Sequence, residues 1–344
     1  MNKLTKIGVS ALCGSLASVA ANAGTMEVLG GATATWSSHE GQVTGNSLGM
    51  NSGLTFKGSG ELDNGTTFTL TLTGADQDAY SSGSIAMTTP SMGGIKINQA
   101  SGGTGIDRYD DMMPTAWEET NGTSLGTGLQ TVAGVGTAMN IEWTAPGDML
   151  PDGMSFAVAV APGATQAVTA NDKAVGGDSG GVGQGYDITL AHSGLMDGLN
   201  VFGGMSNIEQ ADAATDGHTG DRTQWVAGAT YAMGSVTVGY QQSVDNFNAT
   251  SGATTAFYDN NAYGISFQVN DDFTISYGAH ESKRGLVHNG TTNPVELKAE
   301  SLQLSYTMGG MSVKFAESSV DNASYTAGSA ADWDGRTVAL TLAF

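Results

Sequence analysis

Cysteine is nearly absent from this sequence. Cys13 is the only one, and it lies in the apolar part of the N-terminal segment. The residue before it is Leu12, too large for a lipoprotein processing site. The rest of the chain therefore has no disulfide, zinc-thiolate or thiol chemistry to offer. Basic residues are also scarce, 12 Lys and Arg against 33 Asp and Glu, for a formal charge of −21. A nucleic-acid partner needs a basic footprint, so that class is excluded. Long apolar runs are missing after the first 23 residues, and helical periodicity is rare. Helical membrane spans need roughly 20 apolar residues.

The N-terminal segment has its own logic. Lys3 and Lys6 precede an apolar run from Ile7 to Ala20, and Ala21-Asn22-Ala23 follows. A basic start, a short apolar centre and an A-x-A site describe a secretory signal peptide. Cleavage is expected after Ala23. The mature chain then loses two lysines and no acid, which moves the formal charge from −21 to −23.

Glycine is abundant, 51 of 344 residues, about twice its average usage. Periodicity separates this chain from a low-complexity one. Leu48, Met50, Leu54 and Phe56 alternate with small or polar neighbours, as do Phe68, Leu70 and Leu72. Met154, Phe156, Val158 and Val160 repeat the pattern. So do Trp225 to Tyr231, Val236 to Tyr240, Tyr263 to Val269, Phe273 to Tyr277, Leu302 to Tyr306 and Met311 to Phe315. Period-2 alternation marks half-buried strands.

The connections alternate in length. Tight ones are expected at Asp63-Asn64-Gly65, Pro90 to Gly94, Pro146 to Gly153, Met196-Asp197-Gly198, Met233-Gly234, Asn270-Asp271-Asp272 and Met308-Gly309-Gly310. Asn-Gly, Asp-Gly and Gly-Gly pairs suit hairpin turns. Long polar links are expected near 37–47, 75–84, 99–137, 162–185, 207–222, 245–261, 281–298 and 317–335. Fifteen connections imply sixteen strands. A sandwich gives no reason for every second link to be long. A transmembrane antiparallel β-barrel does, with short periplasmic turns and long external loops.

Aromatic and basic residues fit that geometry. Phe68, Tyr231, Phe267, Phe273, Tyr306 and Phe344 share the apolar parity and sit by short turns or the chain end, where an aromatic girdle belongs. A basic side chain facing mid-bilayer lipid costs roughly 2–4 kcal/mol. Lys57, Lys96 and Lys314 fall on the inward parity, and Arg108, Lys173, Lys283 and Arg284 are assigned to long loops. Lys298 and Arg336 share the apolar parity but lie at loop ends, where they can snorkel.

Three stretches carry a resemblance. The end, Val338, Leu340, Leu342 and Phe344, is similar to the outer-membrane signal read by the barrel-assembly machinery. "GLTFKGSGELDNGTTFTLTL", Gly53 to Leu72, is similar to a second and third strand with their turn. "GGTGIDRYDDMMPTAWEE", Gly102 to Glu119, has the place and acidity of an inward-folded third loop. Together they resemble the general bacterial porins, nearest the alphaproteobacterial (Rhodobacter-type) branch. The resemblance implies a sixteen-stranded barrel, a homotrimer in the Gram-negative outer membrane and a water-filled pore narrowed by loop 3. Such porins set a basic cluster opposite that loop. Here the inward positions of strand 2 are Asn51, Gly53, Thr55 and Lys57, and Lys57 alone is charged.

The candidate constriction is Asp107, Arg108, Tyr109, Asp110, Asp111, Trp117, Glu118 and Glu119. Rings of acidic side chains favour cations. Lys57, Glu61, Lys96, Glu142 and Lys314 are candidates for the lumen wall, with Glu27 and Asp187 adding negative charge. The same acids, or Asp76 and Asp78, or Asp212, Asp216 and Asp221, could hold a structural Ca²⁺, although none has EF-hand spacing. His39, His192, His218, His280 and His288 form no zinc-protease pattern, no G-x-S-x-G elbow occurs, and "GGVGQGYDI" lacks the βαβ unit of a nucleotide loop. Catalysis is not expected, and no cofactor is required. The function expected is passive diffusion of small hydrophilic solutes and ions, leaning to cations. The expected partners are a second and third copy of the chain, outer-membrane lipid and lipopolysaccharide. A substrate-specific channel with Trp117 and Tyr109 as an aromatic track is the alternative. A surface adhesin or secreted β-protein without a pore is the other. "RTVALTLAF" is expected to close the barrel against the first strand near Met26 to Trp36.

Overall fold

The protein is described from a computed structural model covering residues 24–42, 45–76, 78–99, 101–122, 125–164, 183–210, 218–250, 254–288, 291–292 and 294–343. The signal segment, Lys173, Asp212, Asp216 and Phe344 lie outside these residues. Sixteen strands span the fold. They are β1 (Thr25–Glu40), β2 (Leu48–Glu61), β3 (Thr67–Ala75), β4 (Asp78–Thr89), β5 (Gly93–Gln99), β6 (Asn140–Thr144), β7 (Met154–Ala161), β8 (Gly185–His192), β9 (Leu199–Ile208), β10 (Arg222–Met233), β11 (Val236–Asn246), β12 (Thr254–Asn270), β13 (Phe273–His288), β15 (Val295–Met308), β16 (Met311–Asp321) and β17 (Trp333–Ala343). β14 (Thr291–Thr292) is a two-residue rung in the link after β13.

Each strand pairs antiparallel with its chain neighbours, and β17 pairs with β1, so the sheet closes. Closure removes the free edges that neither lipid nor water-poor surroundings could satisfy. The closing ladder runs from Gly31 opposite Ala343 to Glu40 opposite Asp334. It uses the second half of β1, overlapping the expected Met26 to Trp36 from Gly31 onward and running past it to Glu40, while β2 pairs with the other edge of β1 from Thr25 to Trp36.

Register carries the alternation around the wall. Trp36 faces Val338, Val338 faces Phe315, Phe315 faces Leu304, and Leu304 faces Ile275. These residues share the outer face with Leu48, Phe56, Leu70, Ile85, Ile95, Ile141, Leu190, Tyr240 and Ile265, all exposed. A continuous apolar girdle of this extent is what lipid covers. The chain is a transmembrane β-barrel. Phe68, Tyr231, Phe267, Phe273 and Tyr306 lie on the girdle beside the short turns, as expected. Phe68 spreads its ring over Gly60 across the β2–β3 pair, where a Cβ would fall 2.5 Å from the ring.

All seven short turns are found. Gly234 and Gly309 take φ of +62° and +58°, the left-handed conformation that two-residue turns require. Five long links are shorter than expected: β1 runs to Glu40, β16 runs to Asp321 and β17 begins at Trp333, which leaves 41–47 and 322–332 between strands. β3 and β4 come within two residues of each other where 75–84 was expected to loop. Asp76, at φ +53°, donates its N–H to the Ser52 carbonyl (2.7 Å), and its carboxylate accepts from Ser52 N (2.9 Å). β12 and β13 likewise continue through much of 245–261 and 281–298, so Lys283 and Arg284 are strand residues. Beyond the girdle both faces of a strand meet water, so polarity on both parities there does not end the strand.

Candidate functional site

The long link between β5 and β6 turns into the barrel. β5 and β6 are the shortest spanning strands, seven and five residues, because the chain leaves the wall after Gln99 and rejoins it at Asn140. A 3-10 turn, Gly105–Tyr109, opens the segment. Inward-facing side chains of six different strands then hold its backbone.

Glu142 on β6 accepts from Gly105 N (2.8 Å), and Asp187 on β8 accepts from Ile106 N (2.9 Å). Gln241 on β11 accepts from Met112 N (3.1 Å) and donates to the Tyr109 and Asp110 carbonyls (2.9 and 3.0 Å). Ser276 on β13 accepts from Ala116 N (2.8 Å). Gln303 on β15 accepts from Trp117 N and Glu118 N, both at 3.0 Å, and donates to the Glu118 carbonyl (2.8 Å). On the way back, Gln224 on β10 accepts from Ala133 N and Gly134 N (3.0 and 2.9 Å), and Asp187 accepts from Val135 N (3.1 Å). These side chains do for the loop what a neighbouring strand would do.

Apolar contacts complete the seating. Ile106, Tyr109 and Val132 bury against Phe202 and Val226. Met113 and Pro114 rest on Gly239 and Gly264, where a Cβ would meet Pro114 Cδ at 2.7 and 2.8 Å. Further along, Leu125 and Leu129 join Leu297, Ala299, Val320, Ala323 and Tyr325. Tyr325 comes from the link between β16 and β17. Its hydroxyl accepts from Gln130 N (2.9 Å) and bonds to Ser282 Oγ (2.7 Å). The loop therefore lies against the inner wall from β5 to β17, where a Cβ on Gly335 would meet Leu125 Cδ2 at 2.7 Å, and the β1–β4 side stays open.

The expected site residues divide accordingly. Asp107, Asp110, Asp111, Trp117, Glu118 and Glu119 lie at the loop surface, partly or fully exposed. Burial raises the carboxyls of Asp107 and Asp110. Asp111 is pushed up to about 6, chiefly by burial, against the Met113 N–H that it accepts and with the Asp110 charge adding to the rise. Glu119 is pushed up to about 7 by burial, then by the charges of Asp110, Asp111, Glu118 and Asp107. Five acids share one small space. Their one basic neighbour in sequence, Arg108, is committed elsewhere: it donates to the Gly105 carbonyl (3.0 Å) and pairs with Glu142.

Four assignments change. Arg108 and Glu142 neutralise each other between loop and wall, so neither is a free lumen charge. Asp187 is 0% exposed and lies under the loop rather than in the passage. Tyr109 is 7% exposed, with its ring 5.0 Å from that of Phe202, so it offers no track to a solute. Trp117 does reach the lumen side, with Lys314 Nζ 5.9 Å from its ring centroid.

On the uncovered wall Lys57 is exposed, opposite Glu27 on β1 and Thr71 on β3. Glu61 is exposed near the short turn, and Lys96 is half-buried opposite Glu142. Most other inward positions of β1–β4 are hydroxyls, some bonded to one another, as with Thr33 to Thr341 (3.0 Å) and Thr55 to Thr73 (3.2 Å). Among the described residues, no group of three or more His, Cys, Asp or Glu side chains is placed to hold a metal ion. Asp76 is engaged with Ser52 in its turn.

Comparison of the sequence with protein-family models and with curated proteins gives no match. The structure does match. OmpF of Salmonella typhi, in a complex with daunomycin, superposes with a TM-score of 0.66 at 16% identity, over 93% of this chain and 97% of that one. OmpT of Vibrio cholerae, an outer-membrane protein in its trimer form, gives 0.62 at 11%, over 94% and 100%. A mutant of the Rh. blastica porin gives 0.55 at 15%, over 93% and 100%. The fold is that of the bacterial porins. The Rh. blastica structure is no nearer than OmpF, so the fold does not single out the alphaproteobacterial branch.

Within this barrel, sequence reasoning missed the residues that seat the loop. Gln224, Gln241, Ser276 and Gln303 are polar residues on the inward parity, and three of them are amides. Long amide side chains amid serines, glycines and alanines were the available signal. Only the loop's path gives them a partner.

Proposed function

We propose that the chain is an outer-membrane porin: a water-filled pore for passive diffusion of small hydrophilic solutes and ions, narrowed by the β5–β6 loop and leaning to cations. One observation carries this reading: a run of acids on a loop folded against the inner wall of a closed barrel. Loop 3 contributes Asp107, Asp110, Asp111, Glu118 and Glu119 to one side of the constriction. Lys57 and Glu61 stand on the open wall, and Lys314 approaches the loop at Trp117. Carboxylates facing a narrow aqueous path concentrate cations. No catalytic residue and no cofactor is assigned. With Tyr109 packed away, the reading as a substrate-specific channel keeps only Trp117 as an aromatic contact.

The functional unit in this reading is a homotrimer inserted through the barrel-assembly machinery after removal of residues 1–23, surrounded by outer-membrane lipid and lipopolysaccharide. The exposed outward row Val338, Leu340 and Leu342 supports a terminal strand that meets lipid, with Phe344 as the end of the assembly signal. Affinity to the alphaproteobacterial branch rests on the three stretches taken together, Gly53 to Leu72, Gly102 to Glu119 and Val338 to Phe344.

The test is conductance and reversal potential of detergent-purified protein in a planar bilayer under a salt gradient. Ohmic channels with cation preference are expected. No conductance removes the pore, and anion preference removes the acidic constriction. Saturable block by one solute favours the specific channel. EDTA should leave conductance unchanged; a loss would point to structural Ca²⁺ on the acidic loops. Deleting Phe344 should impair insertion while leaving the selectivity of inserted channels alone.

A further inference from the structure

The fold places one buried carboxylate at the neck of the constriction loop. Asp187 lies mid-strand on β8, faces inward and is 0% exposed. Its Oδ2 accepts from Ile106 N (2.9 Å) on the outgoing limb and from Val135 N (3.1 Å) on the returning limb. The same oxygen thus joins two points 29 residues apart in the chain.

Two glycines make room for it. Gly105 and Gly134 take φ of +58° and +51°, and a Cβ at either would land 2.0 or 2.2 Å from Asp187 Oδ2. Both positions therefore need glycine twice over, for the left-handed backbone and for the close approach. Elsewhere the neck is sewn by neutral groups. Asn98 Nδ2 donates to Thr104 Oγ1 (3.2 Å), and Asn140 Nδ2 donates to the Val135 and Ala138 carbonyls (3.1 and 2.9 Å). Of the other carboxylates at the neck, Glu142 is neutralised by Arg108, and Asp107 accepts from Gly103 N (2.8 Å) on its own limb. Asp187 has no cation among the described ion pairs.

We propose that Asp187 is the positioning residue of the constriction: it clasps both limbs of loop 3 to β8, and so holds the acids at the loop surface at a set distance from the open wall. A carboxylate oxygen can accept from two amides at once. Without it, two buried N–H groups lose their acceptor together, and the neck can open. The charge itself is not required. An amide oxygen in the same place accepts the same two bonds. The wall glutamines also support the loop, Gln224 at Ala133 and Gly134 beside the neck and Gln241 and Gln303 further out, but each touches a single limb.

This inference rests on loop 3 being the constriction, so the experiment reads the loop and the current separately. Asp187→Leu removes the acceptor at similar size, Asp187→Asn keeps it, and Gly134→Ala leaves Asp187 in place but thrusts a methyl into the carboxylate. Hydrogen exchange at the Ile106 and Val135 amides is expected to be slow in the wild type and in Asp187→Asn. It is expected to be at least ten-fold faster in Asp187→Leu and Gly134→Ala, with barrel-strand amides and heat-modifiable migration unchanged. In planar bilayers the two disruptive variants should show added open-channel noise and a larger, less cation-selective conductance, with wild-type traces in Asp187→Asn. Unchanged exchange in a folded Asp187→Leu or Gly134→Ala barrel overturns the clasp, and so does Asp187→Asn behaving like Asp187→Leu. If Asp187→Leu does not fold, Gly134→Ala and Asp187→Asn decide by the same readings. Faster exchange with an unaltered current means that the clasp exists and loop 3 is not the constriction.

Discussion

The two halves of the inner wall are built from different polar residues, and they do different things. From β8 to β15 the inward face carries Asp187, Gln224, Gln241, Ser276 and Gln303, all buried under the loop. From β1 to β4 it carries Thr33, Thr35, Asn51, Thr55, Lys57, Thr71 and Thr73, exposed or half-buried. An amide or carboxylate side chain reaches far enough from the sheet to bond a second backbone. A threonine hydroxyl is short, and its nearest partner is the threonine on the next strand. Both sets read as polar in the alternation. Four of the five loop seats have that reach; Ser276 is as short as a threonine and bonds Ala116 N (2.8 Å) where the loop runs against the sheet.

The sharpest way to break this contrast is to remove the charge that faces the open wall. Converting Asp110, Asp111, Glu118 and Glu119 together to their amides should abolish cation preference. Lys57, Lys96 and Lys314 remain, so the reversal potential should fall to zero or change sign. A retained cation preference would move the selectivity elsewhere in the barrel.

Removing one anchor should matter next most. Gln303→Ala leaves Trp117 N and Glu118 N without their acceptor, at a cost of about 1–3 kcal/mol for each buried group left unpaired. Single-channel recordings should then show a noisier, wider pore. Thr55→Ala on the open half breaks a Thr–Thr bond and holds no loop, so its traces should match the wild type. Equal effects of the two substitutions would dissolve the distinction between the halves.

Acidification sharpens the contrast without mutation. Asp111 and Glu119 are raised to about 6 and about 7, so each is charged above that value and neutral below it. Cation preference should be greatest above about pH 8 and decline as pH falls through 7 and then 6, reaching a lower plateau near pH 5. Reversal potentials across that range check the sign. A preference that rises on acidification would rule out these carboxylates as its source.

Smaller effects belong to single charges. Lys57→Gln removes the one cation on strand 2 and should strengthen cation preference modestly, with no change in heat-modifiable migration. Arg336→Ala breaks an exposed pair with Glu317 on the outer surface, and pairs of that kind contribute little. It should change neither current nor migration.

Much of the barrel was legible in the chain. The parity of Leu48 to Phe56 or Tyr263 to Val269 states which side is apolar, and the Asn-Gly, Met-Gly and Gly-Gly pairs state where hairpins turn. The external ends were less legible. Ser81 to Ser84 and Asp259 to Asn261 read as loop because alternation stops carrying a signal once both faces meet water. Of the site, the acids from Asp107 to Glu119 were visible as a cluster. The roles of Asp187, Glu142 and Tyr109 were not, because inward parity places a residue on the inner face without telling whether water or a loop covers it.

Local sequence thus determined the strands, their faces, the turns, the sign of the charge on the β5–β6 link and the wall position of Lys57. Each follows from interactions within a residue or between neighbours in a hairpin. Tertiary structure alone decided where that link lies and what it leaves open. Gln303 meets Trp117 across 186 residues, and Asp187 meets Ile106 across 81. Contacts that distant form only once the sheet has closed, since closure is what brings strands from both ends of the chain around one lumen.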